Sequence, residues 1–295
     1  MLRPSFIPDR EQRVLRELTR HRRSLIQERS QVRNRIQKLL EGANLKLSSV
    51  VSDLAGVSGR AILAALAYGE SDPEVLASLA SGSLQHKHQE LVRALGGSVG
   101  DHQRLLLQSL LRQLDFLDAE IAGLSEEVAE RTAPFEEAIE RLDAVPGIGR
   151  RNAEDILAEI GTDMSRFPSA AHLASWARLC PSNHESAGKR KAVSTGHGNR
   201  WLRSSLTQAA QAAANKRDSY FRAQYQRLSA RRGKKRAAIA LAHTLLVVIY
   251  HLLSRPQRDH DLGLLYFDER KQQTTINAAV RRVERLGYKV TIVAA

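Results

Sequence analysis

One cysteine, Cys180, stands in 295 residues, which excludes an internal disulfide framework and a cysteine-cluster zinc site. Aromatic residues make up only 5% of the chain, too few for a protein that stacks successive bases on its rings. The opening MLRPSFIPDREQ has no apolar core, so it does not read as a secretory signal. The longest apolar stretch, residues 237–253, carries His243, Tyr250 and His251. It is short and polar for a membrane span and reads as a buried helix. These absences point to a soluble, cytoplasmic chain with no membrane partner. The 42% apolar content is enough to bury a core, so wholesale disorder is excluded too.

Acidic residues are scarce in one region. Between Cys180 and Arg258 there are 16 Lys and Arg against Glu185 and Asp218, an excess of fourteen in a chain whose net charge is +13. The remainder is therefore close to neutral. Such clustering repels itself unless it faces a polyanion, and a phosphate backbone is the expected partner. A solvated basic face that serves solubility is the plainer alternative.

The patterning is mainly α. Residues 9–46 read as a long basic helix in which Leu18, Leu25, Val32 and Leu39 recur at seven, flanked by Val14 and Ile36, with Arg20, Arg22, Arg23, Arg29, Arg33 and Arg35 on the other faces. Residues 47–57 form a break, and shorter helices over 60–68 and 73–81 follow, the latter started by Asp72-Pro73. Leu107, Leu110, Leu114, Leu117, Ile121, Leu124 and Val128 step by three and four, an a/d ladder of about three heptads. The two heptad helices can pair within one chain or between chains. Pro134 closes this coiled-coil region, residues 1–134, and a compact helical domain, residues 135–295, follows. Within it, residues 209–214 and 239–253 are core candidates. In the tail, residues 275–286 are amphipathic, Gly287 caps them, and residues 289–293 are a candidate strand.

Three constellations carry chemistry. Val145-Pro146-Gly147-Ile148-Gly149-Arg150-Arg151 joins two helices as a helix-hairpin-helix-like turn. Its glycines allow close backbone approach, and the following helix offers free N–H groups to a phosphate. An ordinary helix–helix turn is the plainer reading. Ser186 stands between His184-Glu185 and Gly188-Lys189-Arg190-Lys191, ahead of Gly196-His197-Gly198-Asn199 and Arg203. A serine beside cations can attack phosphorus while the cations stabilise the phosphoryl oxygens; a basic loop with a solvent-facing serine has the same composition. Arg231-Arg232-Gly233-Lys234-Lys235-Arg236 opens the apolar helix, where cations oppose the helix dipole unless an anion sits there. Clustered carboxylates of the kind that hold Mg²⁺ are missing from the basic half. Asp115, Asp118, Glu154, Asp155 and Glu159 read as residues of solvated helix faces.

The ordered set resembles one family. Val145-Pro-Gly-Ile-Gly149, Leu157-Ala-Glu-Ile-Gly161, Arg166-Phe167, Leu173-Ala-Ser-Trp176, Leu179-Cys-Pro181, Glu185-Ser-Ala-Gly-Lys189, Gly198-Asn199 and Leu202-Arg203 are similar to the DEDD-type insertion-sequence transposases of the "one-ten" family. Residues 2–131 resemble that family's linker and coiled coil. The resemblance implies DNA transposition through a serine–DNA intermediate, with Ser186 at the nucleophile position and Lys189 and Arg190 at its basic positions. It implies DNA at the element ends and target, an element-encoded guide RNA, a homo-oligomer formed through the coiled coil, and a bacterial, nucleoid-associated location. It also implies an N-terminal RuvC-like domain whose four acidic residues bind Mg²⁺. That domain is expected to be absent here, so this chain is expected to be a truncated copy, or one read from a miscalled start, with no cofactor of its own. Arg178 departs from the family, which usually has Gly before Leu-x-Pro, and Ala192-Val193 replaces a more polar pair. A non-catalytic nucleic-acid-binding and oligomerisation module is the alternative. The expected nucleic-acid contacts are Gly147, Gly149, Arg150, Arg151, Lys189, Arg190, Lys191, Asn199, Arg203, Arg231, Arg232, Lys234 and Lys235.

Overall fold

The computed structural model describes residues 6–180, 185–186, 189–190, 196, 198–255, 277 and 280–291. The fold is mainly α. In chain order the helices are α1 (Arg10–Gly42), α2 (Val57–Ala67), α3 (Pro73–Ser78), α4 (His88–Ala94), α5 (Asp101–Thr132), α6 (Glu136–Asp143), α7 (Arg150–Ile160), α8 (Ala170–Trp176), α9 (Arg200–Asn215), α10 (Tyr220–Arg232) and α11 (Lys234–Ser254). A two-stranded ladder, β1 (Glu185–Ser186) with β2 (Lys189–Arg190), falls between α8 and α9. The chain divides into two compact units. One is Glu17–Glu130; the other combines Met1–Arg16 with Arg131–Ala295, so α1 starts in one unit and continues into the other.

In the unit spanning 17–130, α1 runs without Gly or Pro until Gly42. The buried stripe on α1 is Thr19, Arg22, Leu25, Val32, Ile36 and Leu40, stepping by three, four and once by seven, whereas Leu18 and Leu39 are half-buried. The strict sevenfold repeat therefore marks one edge of the stripe and not its centre. Arg22, expected on a solvent face, is only 1% exposed because it lies on this stripe. On α5 the a/d ladder holds: Leu107, Leu114, Leu117, Ile121 and Val128 are buried, and Leu110 and Leu124 half-buried. Leu107, Leu114, Leu117 and Ile121 share one core with Leu25, Val32, Ile36 and Leu40 of α1, Ile62, Leu63 and Leu66 of α2, and Leu76 and Leu91. The two heptad helices thus bury their stripes in one common core within the chain. Asp118 accepts from Arg29 at 2.9 Å, and Arg60 reaches both Asp115 and Asp118. These acids are part-exposed ion-pair partners, each pair adding under about 1 kcal/mol. Asp72 caps α3 by accepting from the Glu74 N–H at 2.9 Å, as Asp72-Pro73 predicts.

The other unit is built around α11. This helix is long and apolar enough to cross a membrane by composition alone. It instead packs against α6, α8, α9 and α10, and Ala237, Leu241, Ala242, Leu245, Leu246 and Ile249 are fully buried. Ala209, Ala210 and Ala213 of α9 are also fully buried, and small side chains there bring helix backbones close. The start of α1 closes the unit. Gln12 Nε2 and Arg16 Nε donate to the Ala158 carbonyl at 3.1 and 3.0 Å, satisfying the end of α7. Phe6 packs on Phe167 and Trp176, with the Arg16 and Arg166 guanidinium groups each 5.5 Å from its ring centre. In the tail, residues 280–284 are helical and Gly287 takes φ +88°. Residues 289–291 are not strand, contrary to expectation, since no strand pairs with them among the described residues; residues 292 and 293 lie outside the described residues.

Candidate nucleic-acid interface

The Pro146–Gly149 turn joins α6 to α7, anchored by buried Val145 and Ile148. Gly147 has φ +89°, and a Cβ there would stand 2.3 Å from the Ala209 carbonyl oxygen and 2.6 Å from the Ala213 nitrogen. The close approach that this glycine permits is to the backbone of α9. Gly149 faces open space and begins α7 with no side-chain cap. Arg150 forks onto Glu136, with Nη2 2.7 Å from Oε2, and its Nε lies 3.3 Å from Glu154. That pairing raises the Arg150 pKa and holds the Glu136 carboxyl below its ordinary value. Arg150 therefore clamps α6 to α7, while Arg151 stays exposed. Asn152 donates to the Ser205 carbonyl at 3.2 Å, tying α7 to α9.

The end of α8 forms the neck of the segment that carries Ser186. The Leu179 N–H returns to the Ala174 carbonyl at 3.1 Å and the Arg178 N–H to Ser175 at 3.1 Å, closing the helix as a Schellman motif. Arg178 holds the left-handed position of that motif, φ +54°, where glycine is the usual residue. Leu179 is buried, and burial pushes the Cys180 thiol up, away from thiolate chemistry. Beyond it, Ser186 pairs with Lys189 and Glu185 with Arg190. Lys191 lies outside the described residues. The chain returns at Gly196 and Gly198. A Cβ on Gly198 would lie 2.6 Å from the Ala177 carbonyl oxygen and 2.7 Å from Arg178 Cβ, so the glycine lets the returning strand lie on the end of α8.

Asn199 caps α9 by accepting from the Trp201 and Leu202 N–H groups at 3.0 and 3.2 Å. Its side-chain amide donates to Glu159 at 2.5 Å. Glu159 and Glu154, expected on solvated helix faces, are instead 2% and 4% exposed. They are tolerated there because Asn199 and Arg16 approach the first and Arg150 the second. Arg203 donates to the Gly196 carbonyl at 3.2 Å, and the Arg200 guanidinium covers the Trp201 ring at 4.8 Å.

At the α10–α11 corner, Gly233 takes φ +81° and stops α10. Arg231, Arg232, Lys234, Lys235 and Arg236 around it are all exposed, and no ion pair is formed by any of them among the described residues. Three of the five open α11, where the helix dipole disfavours cations. The structure therefore brings the α6–α7 turn and Asn199 together against α9, with Arg203 at the neck. Asn199 and Arg150 are engaged with protein groups; Arg151 and the corner cations face solvent. Among the described residues, no three His, Cys, Asp or Glu side chains converge to hold a metal ion. The divalent cation implied by the sequence resemblance thus has no fitted ligand set among them.

Residues 139–226 match the Transposase IS116/IS110/IS902 family. The match runs from α6 into α10 and includes the turn, the β1–β2 ladder and the neck. A transposase for insertion sequence element IS1111A from Coxiella burnetii is 30% identical over 146 residues, 47% of this chain and 39% of that protein. A pilin gene-inverting protein from Moraxella bovis is 36% identical over 123 residues, 41% of this chain and 38% of that one. Its counterpart in Moraxella lacunata matches to the same extent. The chain thus spans under two fifths of the length of these curated relatives.

Proposed function

We propose that this chain is a transposase of the family matched by residues 139–226, that its basic unit binds DNA, and that Ser186 is the nucleophile of DNA strand transfer. The observation that carries this reading is the family match, which contains Ser186 and the helices around it. The exposed corner cations support the DNA-binding half. In the proposed step the Ser186 hydroxyl oxygen bonds to a backbone phosphorus, the bond from phosphorus to one sugar oxygen breaks, and the serine proton passes to that departing oxygen. The phosphate stays on the serine until a second sugar hydroxyl reverses the exchange. Lys189, paired across from Ser186 in the ladder, supplies positive charge for the phosphoryl oxygens. Arg151, Arg190, Lys191, Arg231, Arg232, Lys234 and Lys235 hold the phosphate backbone. A guide RNA and a second copy of the chain are the further partners of this reading. A second copy would need surfaces other than the leucine stripes, which are already buried within one chain.

Two measurements test it. Incubation with DNA carrying the element ends should give a covalent protein–DNA adduct on a denaturing gel, lost in Ser186→Ala. Arg231→Ala/Arg232→Ala should weaken DNA binding and lower its salt dependence by about one counterion per lost contact. A binding-only role is the second reading, favoured by the exposed cations of the α10–α11 corner, which can hold a phosphate backbone without any chemistry at Ser186. It prevails if the corner variant loses binding while no adduct ever depends on Ser186.

A further inference from the structure

We propose that the outward face of α5 is a dimerisation seam on which a second copy of this chain packs antiparallel. The proposal rests on the second copy in the reading above and names the surface it uses. α5 carries two stripes. The buried one is the ladder that includes Leu107, Leu114, Leu117 and Ile121. The other is Leu105, Ser109, Arg112, Phe116, Ala119 and Gly123, which steps by four and three and is exposed at every position. Leu105 and Gly123 each stand nine residues from Leu114, about two and a half turns, so this stripe lies on the opposite side of the helix. Leu105 is 65% and Phe116 62% exposed, and a Cβ on Gly123 would meet nothing within 4 Å. Exposed apolar residues scattered singly need no partner, but spaced by four and three along one line they form a helix–helix seam.

The stripe is complementary to itself in one direction only. A two-fold axis level with residue 114 lays the whole stripe over its copy, with the two helices antiparallel. Leu105 then faces the partner's Gly123, Ser109 the partner's Ala119, and Arg112 the partner's Phe116. At the ends a long side chain meets a short one, which lets the helix axes approach closely. At the centre a guanidinium covers an aromatic ring. The partner's Asp115, which Arg60 steadies within its own chain, comes level with Arg112 and supplies the opposite charge. Arg112 is exposed and pairs with no carboxylate among the described residues. A parallel pairing would instead set Arg112 against Arg112 and Gly123 against Gly123, opposing like charges and leaving a gap. Self-matching under a two-fold axis marks a contact between identical chains.

Sedimentation velocity of the full chain, freed of nucleic acid, should show a monomer–dimer equilibrium across a concentration series. Leu105→Glu and Phe116→Glu should each weaken dimerisation by about 10-fold or more. Both should keep the circular dichroism of the unaltered chain, and its stability where the chain is monomeric, because both positions are exposed. Direction and register are read by oxidation in a Cys180→Ser background. Ser109→Cys and Ala119→Cys should each fail to cross-link alone and should form a disulfide when the two are mixed. A dimer that Phe116→Glu leaves at wild-type affinity, cysteine variants that cross-link alone, or a mixture that does not cross-link overturns this seam and leaves the second copy to another surface. A chain that stays monomeric at every concentration overturns the seam and the second copy together. DNA binding, titrated separately, decides the rest of the reading in either case.

Discussion

The Asn199 side-chain amide donates to the buried Glu159 carboxylate at 2.5 Å while its oxygen caps α9. Arg16 approaches the same carboxylate at 3.4 Å. The start of α1, the end of α7 and the start of α9 therefore meet at one charge, next to the point where the Ser186 segment rejoins the core. A buried charge held this way ties the neck to both helices, because leaving it without these partners would cost several kcal/mol, about 3–5.

Removing that charge should be costly. Glu159→Ala leaves the Asn199 amide without its carboxylate acceptor and removes the charge that faces Arg16, and should lower stability in urea by about 3 kcal/mol. Glu159→Gln keeps an oxygen acceptor and should cost about half as much. If Glu159→Ala unfolds at the wild-type midpoint, the three helices are not tied together here.

The two glycines of the turn should differ sharply. Gly147→Ala adds a Cβ into the α9 backbone at positive φ and should cost about 2–4 kcal/mol. Gly149→Ala meets nothing and should cost under about 1 kcal/mol. Equal losses at both sites in urea titrations would show that the turn does not rest on α9.

On α5, Leu114 is fully buried and Phe116 is 62% exposed. Leu114→Glu places a charge in the common core and should destabilise the unit by about 4 kcal/mol, whereas Phe116→Glu should change stability by less than about 0.5 kcal/mol. Circular dichroism during urea unfolding separates the two, and a mild Leu114→Glu would mean that the ladder does not face the core.

Burial lowers the pKa of His243 below its ordinary 6.5. The unfolded chain then binds a proton near pH 6.5 that the folded chain refuses until a lower pH. This residue's contribution is flat above pH 6.5, and stability falls as pH drops below it. His243→Gln should flatten the melting temperature between about pH 5 and 6.5. The depressed carboxyls of Asp9, Glu136 and Asp163 act in the same direction at lower pH, where they accept protons on unfolding. A wild-type slope that survives in His243→Gln assigns the effect to another group.

Much of this was legible in the residues themselves. The α5 ladder, the apolar run that became α11, the Asp72-Pro73 helix start and the basic stretch depend on spacing and composition within one segment. Such local patterns specify which face of a helix must be buried, whatever buries it. The sevenfold spacing on α1 was less informative, because its actual buried stripe includes Thr19 and Arg22, which carry no apolar signal.

What the residues by themselves determined is a mainly helical chain with a concentrated positive charge and a Gly-containing turn. Tertiary structure alone decided which charges are buried and which are free. Glu159 is inside because Asn199, 40 residues later, and Arg16, at the start of the chain, supply its partners. Gly147 is a packing glycine because Ala209 and Ala213 lie against it, and Arg178 is left-handed because α8 ends beneath Leu179. The cost of burying a charge or straining a backbone is met by groups distant in sequence, and no local pattern records where those groups will be.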